Sequence, residues 1–488
     1  MVDRLLSVLL FVFFILKCIR SRLVHRRLSL ELKLISRRAK LVEVSPPVRS
    51  LEDCVSYFVS GETTQADWVI GTEHEKIAVY EESYARVPYE GDRGIAALLK
   101  RISTQHGWDP IYEGENIIGL LQDGASITLE PGGQFELSGA PLATIRETCR
   151  EFNSHVDMVK EISRDFGIIW LSLGVDPLHS VVDVPVMPKH RYQIMRDYLP
   201  TRGALGLEMM HLSATVQANF DFSDEADMVR KMRTAMGCTP VVSALFANSP
   251  FSYGTENGFI TKRLRIWEDT DPDRCGLLPF VFESDFGYER YADWALDVPL
   301  FFLIRDGQYI SANGCTFRTF MAEGLQGHEA RLSDWDMHLT TLFPEVRLKK
   351  IIEVRGADAV PRELTCALPA LWKGLLYDAQ ACEAAWSLVS AYSLEERTAA
   401  HESVSRRGLA AQIAGQNVRT LAEQLVELSS AGLARIAVRC DLPKDERNFL
   451  DPLVQILEGG LSPGEAVLER WRTDWQGSVD RLIEYAQY

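Results

Sequence analysis

Glu73 and Glu75 are separated by a single residue in the run Gly71-Thr72-Glu73-His74-Glu75-Lys76, and in an extended strand residues two apart project from the same face. The same even spacing recurs along the chain. Thr215, Gln217 and Asn219 alternate with Val216, Ala218 and Phe220, and Glu353 and Arg355 alternate with Ile352 and Val354. Glu130 and Glu136 lie on either side of Pro131-Gly132-Gly133, again at an even separation, although the glycines leave the register open. Taken alone, each strand reads as an ordinary solvated polar face backed by an apolar one. Four in one chain, three of them bearing Glu, predict one sheet whose polar faces form a cup rich in carboxylates. Like charges ~6–7 Å apart on a strand repel, more strongly where water is scarce. A hard cation relieves that repulsion. Carboxylate, amide and water oxygens suit Mg²⁺, which keeps phosphate as a partner.

Other routes to catalysis are missing from the sequence. It has no G-x-x-x-x-G-K-[ST] phosphate cradle and no G-x-S-x-G nucleophile elbow, and Leu137-Ser138-Gly139 reads as a strand end. No histidine pair has zinc-ligand spacing, and His74 falls on the face opposite the acids, where a structural role is expected. Nucleotide chemistry here has to rest on metal ions held by acids.

These side chains need elements to position them. Helices are expected over residues 51–59, 94–105 and 144–166, and strands over 68–80, 126–137 (broken at Pro131-Gly132-Gly133), 215–220 and 350–355. Beyond residue 379 the pattern turns helical, over 383–392, 394–411, 417–431 and 464–485. The fold class is therefore α+β: a mostly antiparallel sheet with helices packed on one side and a helical C-terminal part. Ser45-Pro46-Pro47 marks the start of the folded region.

Composition narrows the partners. The chain of 488 residues is 46% hydrophobic and 25% charged, and its net charge of −16 argues against nucleic acid as a main partner. Nine scattered cysteines without a C-x-x-C fit a reducing compartment, and a cytoplasmic location is expected. Residues 1–50 stand apart: 5–16 are apolar except for Ser7, and the stretch carries 11 Lys/Arg against 3 Asp/Glu. That apolar run is shorter than the ~20 residues that span a bilayer. Three readings stay open for this arm: a targeting or anchor segment, a basic arm touching a membrane, or a start codon placed too far upstream. Any membrane contact is expected through it alone.

The chemistry-bearing strands also carry a family resemblance. Ile70-Gly71-Thr72-Glu73-His74-Glu75-Lys76, the run from Thr128 to Gly139, Ala247-Asn248-Ser249-Pro250-Phe251, Ile266-Trp267 with Asp269-Thr270-Asp271, Leu277-Leu278-Pro279-Phe280, Ala295-Leu296-Asp297-Val298-Pro299, and Phe343-Pro344-Glu345-Val346-Arg347-Leu348 leading to Glu353-Val354-Arg355-Gly356-Ala357-Asp358 resemble the plant and proteobacterial type of glutamate–cysteine ligase. The match runs in order from about residue 51 to the C-terminus. It implies a glutamine-synthetase-like catalytic fold, with residues 51–380 as the ATP-dependent ligase core and 381–488 as a helical part of the same domain. It also implies ATP as co-substrate with two or three Mg²⁺, and L-glutamate and L-cysteine as substrates. In that family the glutamate γ-carboxylate takes the γ-phosphate of ATP, and the acyl phosphate is captured by the cysteine amine, the first step of glutathione synthesis.

By this resemblance Glu73, Glu75, Glu136 and Glu353 are metal ligands, with Glu130 a fifth. Gln217 is at a metal- or nucleotide-binding position with Asn219 beside it, and Arg263 and Trp267 resemble the glutamate-binding pair. Arg355 is expected to face the transferring phosphoryl oxygens. Three departures are visible. Leu212 stands where the family has arginine, Phe301 where plant members carry a tyrosine near the cysteine pocket, and Ala312 and Gly327 where plant members carry a regulatory cysteine pair. Two rival readings follow: a ligase joining glutamate to a different amine, and a catalytically silent paralogue. Oligomeric state is left open.

Overall fold

Ser50 stands where a helix must begin. Its hydroxyl accepts from the Asp53 N–H, the Asp53 carboxylate accepts from the Ser50 N–H, and helix α1, Leu51–Val59, starts with both donors satisfied. The computed structural model describes residues 45–440, 442 and 445–488. Within it the chain ahead of α1 is already docked: Val48 is buried, its N–H donates to the Ala330 carbonyl at 2.9 Å, and Pro47 pairs with Arg331. Pro47 and Val48, expected within the arm, are therefore packed on the folded core. Residues 1–44 of the expected arm lie outside the described residues.

The alternating stretches form one sheet. Its strands are β1 (Ile70–Tyr80), β2 (Asp109–Glu113), β3 (Asn116–Gln122), β4 (Ala125–Leu129), β5 (Phe135–Ser138), β6 (Ile168–Leu171), β7 (Thr215–Phe220), β8 (Val346–Leu348) and β9 (Ile352–Asp358). The order is β8-β9-β7-β1-β5-β4-β3-β2, with β6 pairing the end of β1, and every pairing is antiparallel. One face is apolar: Val216, Ala218 and Phe220 on β7 and Ile352 on β9 are fully buried. That face packs on helices, each large side chain contributing roughly 1.5–3 kcal/mol by its removal from water. Behind the central strands, His74 of β1 lies edge-on to Phe152 at 4.4 Å, in the structural place expected of it.

Helices close both layers. Among them are α2 (Ile95–His106), α3 (Ile145–Arg164), α4 (His190–Tyr198), α5 (Gly206–Leu212), α6 (Glu225–Leu245), α7 (Lys262–Glu268) and α8 (Leu332–Thr340). The C-terminal part adds α9 (Ala367–Leu376), α10 (Ala379–Val389), α11 (Leu394–Arg407), α12 (Val418–Arg439), α13 (Pro463–Arg472) and α14 (Val479–Ala486). It shares the same core: Leu425 of α12, Val389 of α10, Met232 of α6 and Phe220 of β7 belong to one buried cluster. Gly374 of α9 and Gly432 of α12 bring these helices within backbone contact, since a Cβ on Gly432 would stand 2.0 Å from the Gly374 carbonyl oxygen. Among the described residues no helix is long and apolar enough to cross a membrane.

Candidate active site

The antiparallel register sets the chemistry. Glu75 lies directly opposite Glu136, Glu73 opposite Gln217, Glu353 opposite Asn219, and Thr128 opposite Glu136. The four polar faces therefore fall on one side of the sheet and line a single cavity of about 320 Å³. Glu130 reaches it from the turn after β4, where Gly133 has φ of 79° and the Gln134 side chain accepts from the Gly132 N–H at 2.9 Å. This turn resolves the register that the glycines left open. Glu130 and Glu136 face the same cavity.

The wall is not uniformly acidic, as expected from the sequence, but divided. Four carboxylates (Glu73, Glu75, Glu130, Glu136) and five cations (Arg191, Arg263, Arg347, Lys349, Arg355) line it. The acids come from the β4-β5-β1 half of the sheet. Arg347, Lys349 and Arg355 come from the β8-β9 edge, with Arg191 supplied by α4 and Arg263 by α7. A ligand that is cationic at one end and anionic at the other, or a metal-bound anion, matches this polarity.

Within the acidic half, enclosure works against ionisation. Burial pushes the Glu73 carboxyl up to about 7, with the charges of Glu353 and Glu136 adding to it. Burial lifts Glu75 well above the usual carboxylate range, helped by Glu130 and Glu136, and raises Glu136 with help from Glu130. Asn219 Nδ2 donates to Glu73 Oε1 at 2.9 Å, and Gln217 Nε2 reaches Glu73 Oε2 at 3.4 Å. The donor set is all oxygen, the chemistry of a hard divalent ion. Among the described residues no three His, Cys, Asp or Glu side chains stand together as a closed ligand set. A carboxylate set as open as this suits an ion that keeps water and phosphate ligands, as Mg²⁺ does.

Glu353 is not where a free ligand would be. It is fully buried and absent from the cavity wall, and its oxygens accept from Arg347 at 2.7 and 2.8 Å, from Lys349 at 3.0 Å and from Arg355. Burial alone would raise its carboxyl, but Arg347, Lys349 and Arg355 hold it well below the usual range. In this arrangement Glu353 orders the cations of the opposite edge instead of completing the acidic half. Even spacing gives a side chain's face but not its partners, and here the carboxylate expected as a metal ligand is engaged by three cations. Asn219 likewise stands off the wall and acts on the cavity through Glu73.

Arg263, Trp267 and Arg355 meet at the cationic edge. The Arg263 and Arg355 guanidiniums sit 5.7 and 5.5 Å from the Trp267 ring centroid, Arg263 Nη2 donates to the Arg355 carbonyl at 3.1 Å, and Arg355 Nη1 donates to Gln217 Oε1 at 2.6 Å. Three buried donors on the wall have no protein partner: Arg263 Nε, Trp267 Nε1 and Arg191 Nε. Unpaired buried donors are costly, so convergent ones point to an anionic ligand. Met195, Met209, Met210, Met337 and Phe343 add a polarizable apolar side.

Arg191, Arg347 and Lys349 were missed in the sequence. Arg347 is paired opposite Glu353 in the β8-β9 ladder and shares its face, and Lys349 follows in the turn between the two strands. Arg191 sits in the first turn of α4, and no signal marks it. Two departures fall away from the site: Leu212 and Phe301 are buried off the cavity wall, and the Phe301 ring packs 4.0 Å from the Arg274 guanidinium.

Residues 69–485 match the model of glutamate–cysteine ligase family 2. The chain is 44% identical over 463 residues to a chloroplastic glutamate–cysteine ligase of Medicago truncatula, the match covering 92% of this chain and 89% of that one. It is 43% identical over 460 residues to the chloroplastic enzyme of Arabidopsis thaliana, covering 92% and 86%. Among solved structures, the glutamate–cysteine ligase of Francisella tularensis in complex with AMP superposes with a TM-score of 0.52 at 13% identity, over 85% of this chain and 86% of that one, which establishes likeness of fold alone. The chloroplastic names of these relatives overturn the cytoplasmic location expected from the cysteine pattern, which reports a reducing environment and not a particular compartment.

Proposed function

The chain belongs to glutamate–cysteine ligase family 2, and from that membership we propose that its divided cup joins the γ-carboxylate of L-glutamate to the amine of L-cysteine through a γ-glutamyl phosphate. The protein is an ATP-dependent ligase of the first step of glutathione biosynthesis. The observation that carries the reading of the site is its polarity: paired carboxylates on one half of the sheet share a cavity with partnerless guanidinium and indole donors supplied by α7 and α4.

In this reading Glu73, Glu75 and Glu136, with Glu130, hold two or three Mg²⁺. When bound, the ions neutralise the triphosphate and orient it for in-line transfer. Gln217 and Asn219 fix Glu73 through its two oxygens. Arg263 and Trp267 receive the glutamate α-carboxylate on their unpaired N–H groups, with Arg191 on the same wall. Arg355, aligned by Glu353, faces the phosphoryl oxygens, where a fixed charge counts most as negative charge shifts in the transition state. The methionine-lined side takes the cysteine thiol. Leu212 and Phe301 stand off the wall and give no observation in favour of a different amine. The relatives' chloroplastic names support an organellar location.

The test is ADP release with ATP, Mg²⁺ and glutamate against a panel of amines. Cysteine-dependent turnover is expected, and equal turnover with other amines refutes the assignment of the acceptor.

A further inference from the structure

A second cavity, of about 1030 Å³, lies on the other side of α7 from the divided cup. Arg263 and Trp267, four apart on this helix, face the cup, whereas Arg265 and Glu268 face the second cavity. Its far wall is α11, which contributes His401 and Glu402, and Glu345 closes it next to β8.

Two buried polar groups in this cavity have no protein partner. Glu345 is 7% exposed, and among the described residues its carboxylate makes no hydrogen bond or ion pair. Arg263 and Arg355 act on it only through space, easing the rise that burial imposes on its carboxyl. His401 is 4% exposed and its Nε2 is without a hydrogen-bond partner. The remaining charges are largely matched: Arg265 stands 3.7 Å from Glu268 and 2.9 Å from Asp269, and Arg406 stands 3.9 Å from Glu402. What is left over is acidic. Phe259, Leu277, Pro279 and Leu394 give the cavity an apolar side next to these groups. A concave space of this size, with an apolar side and a few polar groups, has the make-up of a small-molecule site.

We propose that this cavity is a second ligand site, for a small organic cation whose ammonium group is received by Glu345 and His401 while its hydrocarbon body lies on Leu277, Pro279 and Leu394. An ammonium supplies donors to both the unpaired carboxylate and a neutral imidazole nitrogen, and it balances the acidic surplus, which an anion would increase. The site is distinct from the cup, and its occupancy does not depend on how the ligase chemistry is assigned.

Calorimetric titration of the full chain with phenethylammonium chloride tests it, with neutral 2-phenylethanol as the uncharged match. One binding event is expected, with the alcohol at least about tenfold weaker, the equivalent of one modest charge contact. Glu345→Gln is expected to weaken the ammonium by a similar factor. Ala399→Trp, at an exposed α11 position on the rim, blocks it without disturbing the fold, as circular dichroism checks. Glu73→Gln leaves it unchanged. Absence of binding at millimolar probe, equal affinity for the alcohol, or undiminished binding by Ala399→Trp overturns the proposal. Loss of binding in Glu73→Gln does so too, because it places the probe in the cup. Cysteine-dependent ADP release on the same samples reports separately on the ligase reading.

Discussion

Replacing Glu73 by Gln should remove catalysis and yet stabilise the metal-free protein at alkaline pH. Glu73 is enclosed among Glu136 and Glu353, and its carboxyl is pushed up from the ordinary 4.5 to about 7. At about 1.4 kcal/mol for each tenfold, that difference corresponds to about 3 kcal/mol. The sign follows from proton binding. The unfolded chain releases this proton near pH 4.5 and the folded chain near pH 7, so folding carries no cost from this group below 4.5. The cost grows between the two values and is complete above 7. Glutamine never ionises, and its amide oxygen can still accept from Asn219 Nδ2, which donates to Glu73 at 2.9 Å. Urea unfolding in EDTA, followed by tryptophan fluorescence, should therefore show Glu73→Gln more stable than the parent by about 2–3 kcal/mol at pH 8 and nearly equal to it at pH 4. Adding Mg²⁺ at pH 8 should stabilise the parent but not the variant, because only the parent keeps the ligand set. A variant no more stable than the parent at pH 8 without metal would refute the idea that burial, with Glu353 and Glu136 nearby, penalises the ionised Glu73 carboxyl.

Arg263→Lys should raise the KM for glutamate by about 30-fold, near 2 kcal/mol, with a smaller effect on kcat, because an ammonium cannot reproduce the two-pronged grip of a guanidinium; initial rates over a glutamate series measure it. Glu136→Gln should lower kcat/KM by about 10²–10³ and raise the Mg²⁺ concentration needed for half-activity, read by ADP release across a magnesium series. A chain beginning at Leu51 loses buried Val48 and the Ser50 cap, and should be less stable by about 2–4 kcal/mol.

Legibility followed the strength of local patterning. The bounds of β7 and α1 were readable to the residue, because Thr215–Phe220 alternates cleanly and Ser50 with Asp53 writes a capping box. One long helix over 464–485 was expected, and two are found. The apolar spacing of Trp471, Trp475 and Leu482 runs across a turn in which Gln476 and Gly477 take φ of 49° and 78°. The carboxylates of the cup were legible because parity in a strand is a hard geometric constraint. The ion pairing of Glu353 was less so, because Arg347 reaches it only through the pairing of β8 with β9 and Lys349 only through the turn between them. Arg191 was invisible for the same reason: a helix on a connection has no parity with the sheet it overhangs.

The cup is also an outcome of very non-local pairing. Glu73 meets Ser138 on one side and Gln217 on the other, and Asn219 meets Glu353 across the next ladder. Closing such large loops costs entropy before any contact rewards it, so this part of the sheet should form late and slowly. No fragment ending before β9 contains both edges, and none should hold magnesium or nucleotide as the whole chain would. Ligand binding then reports the finished chain alone, and a cell short of either ligand would leave more of this enzyme open to proteases while its messenger and synthesis stayed the same.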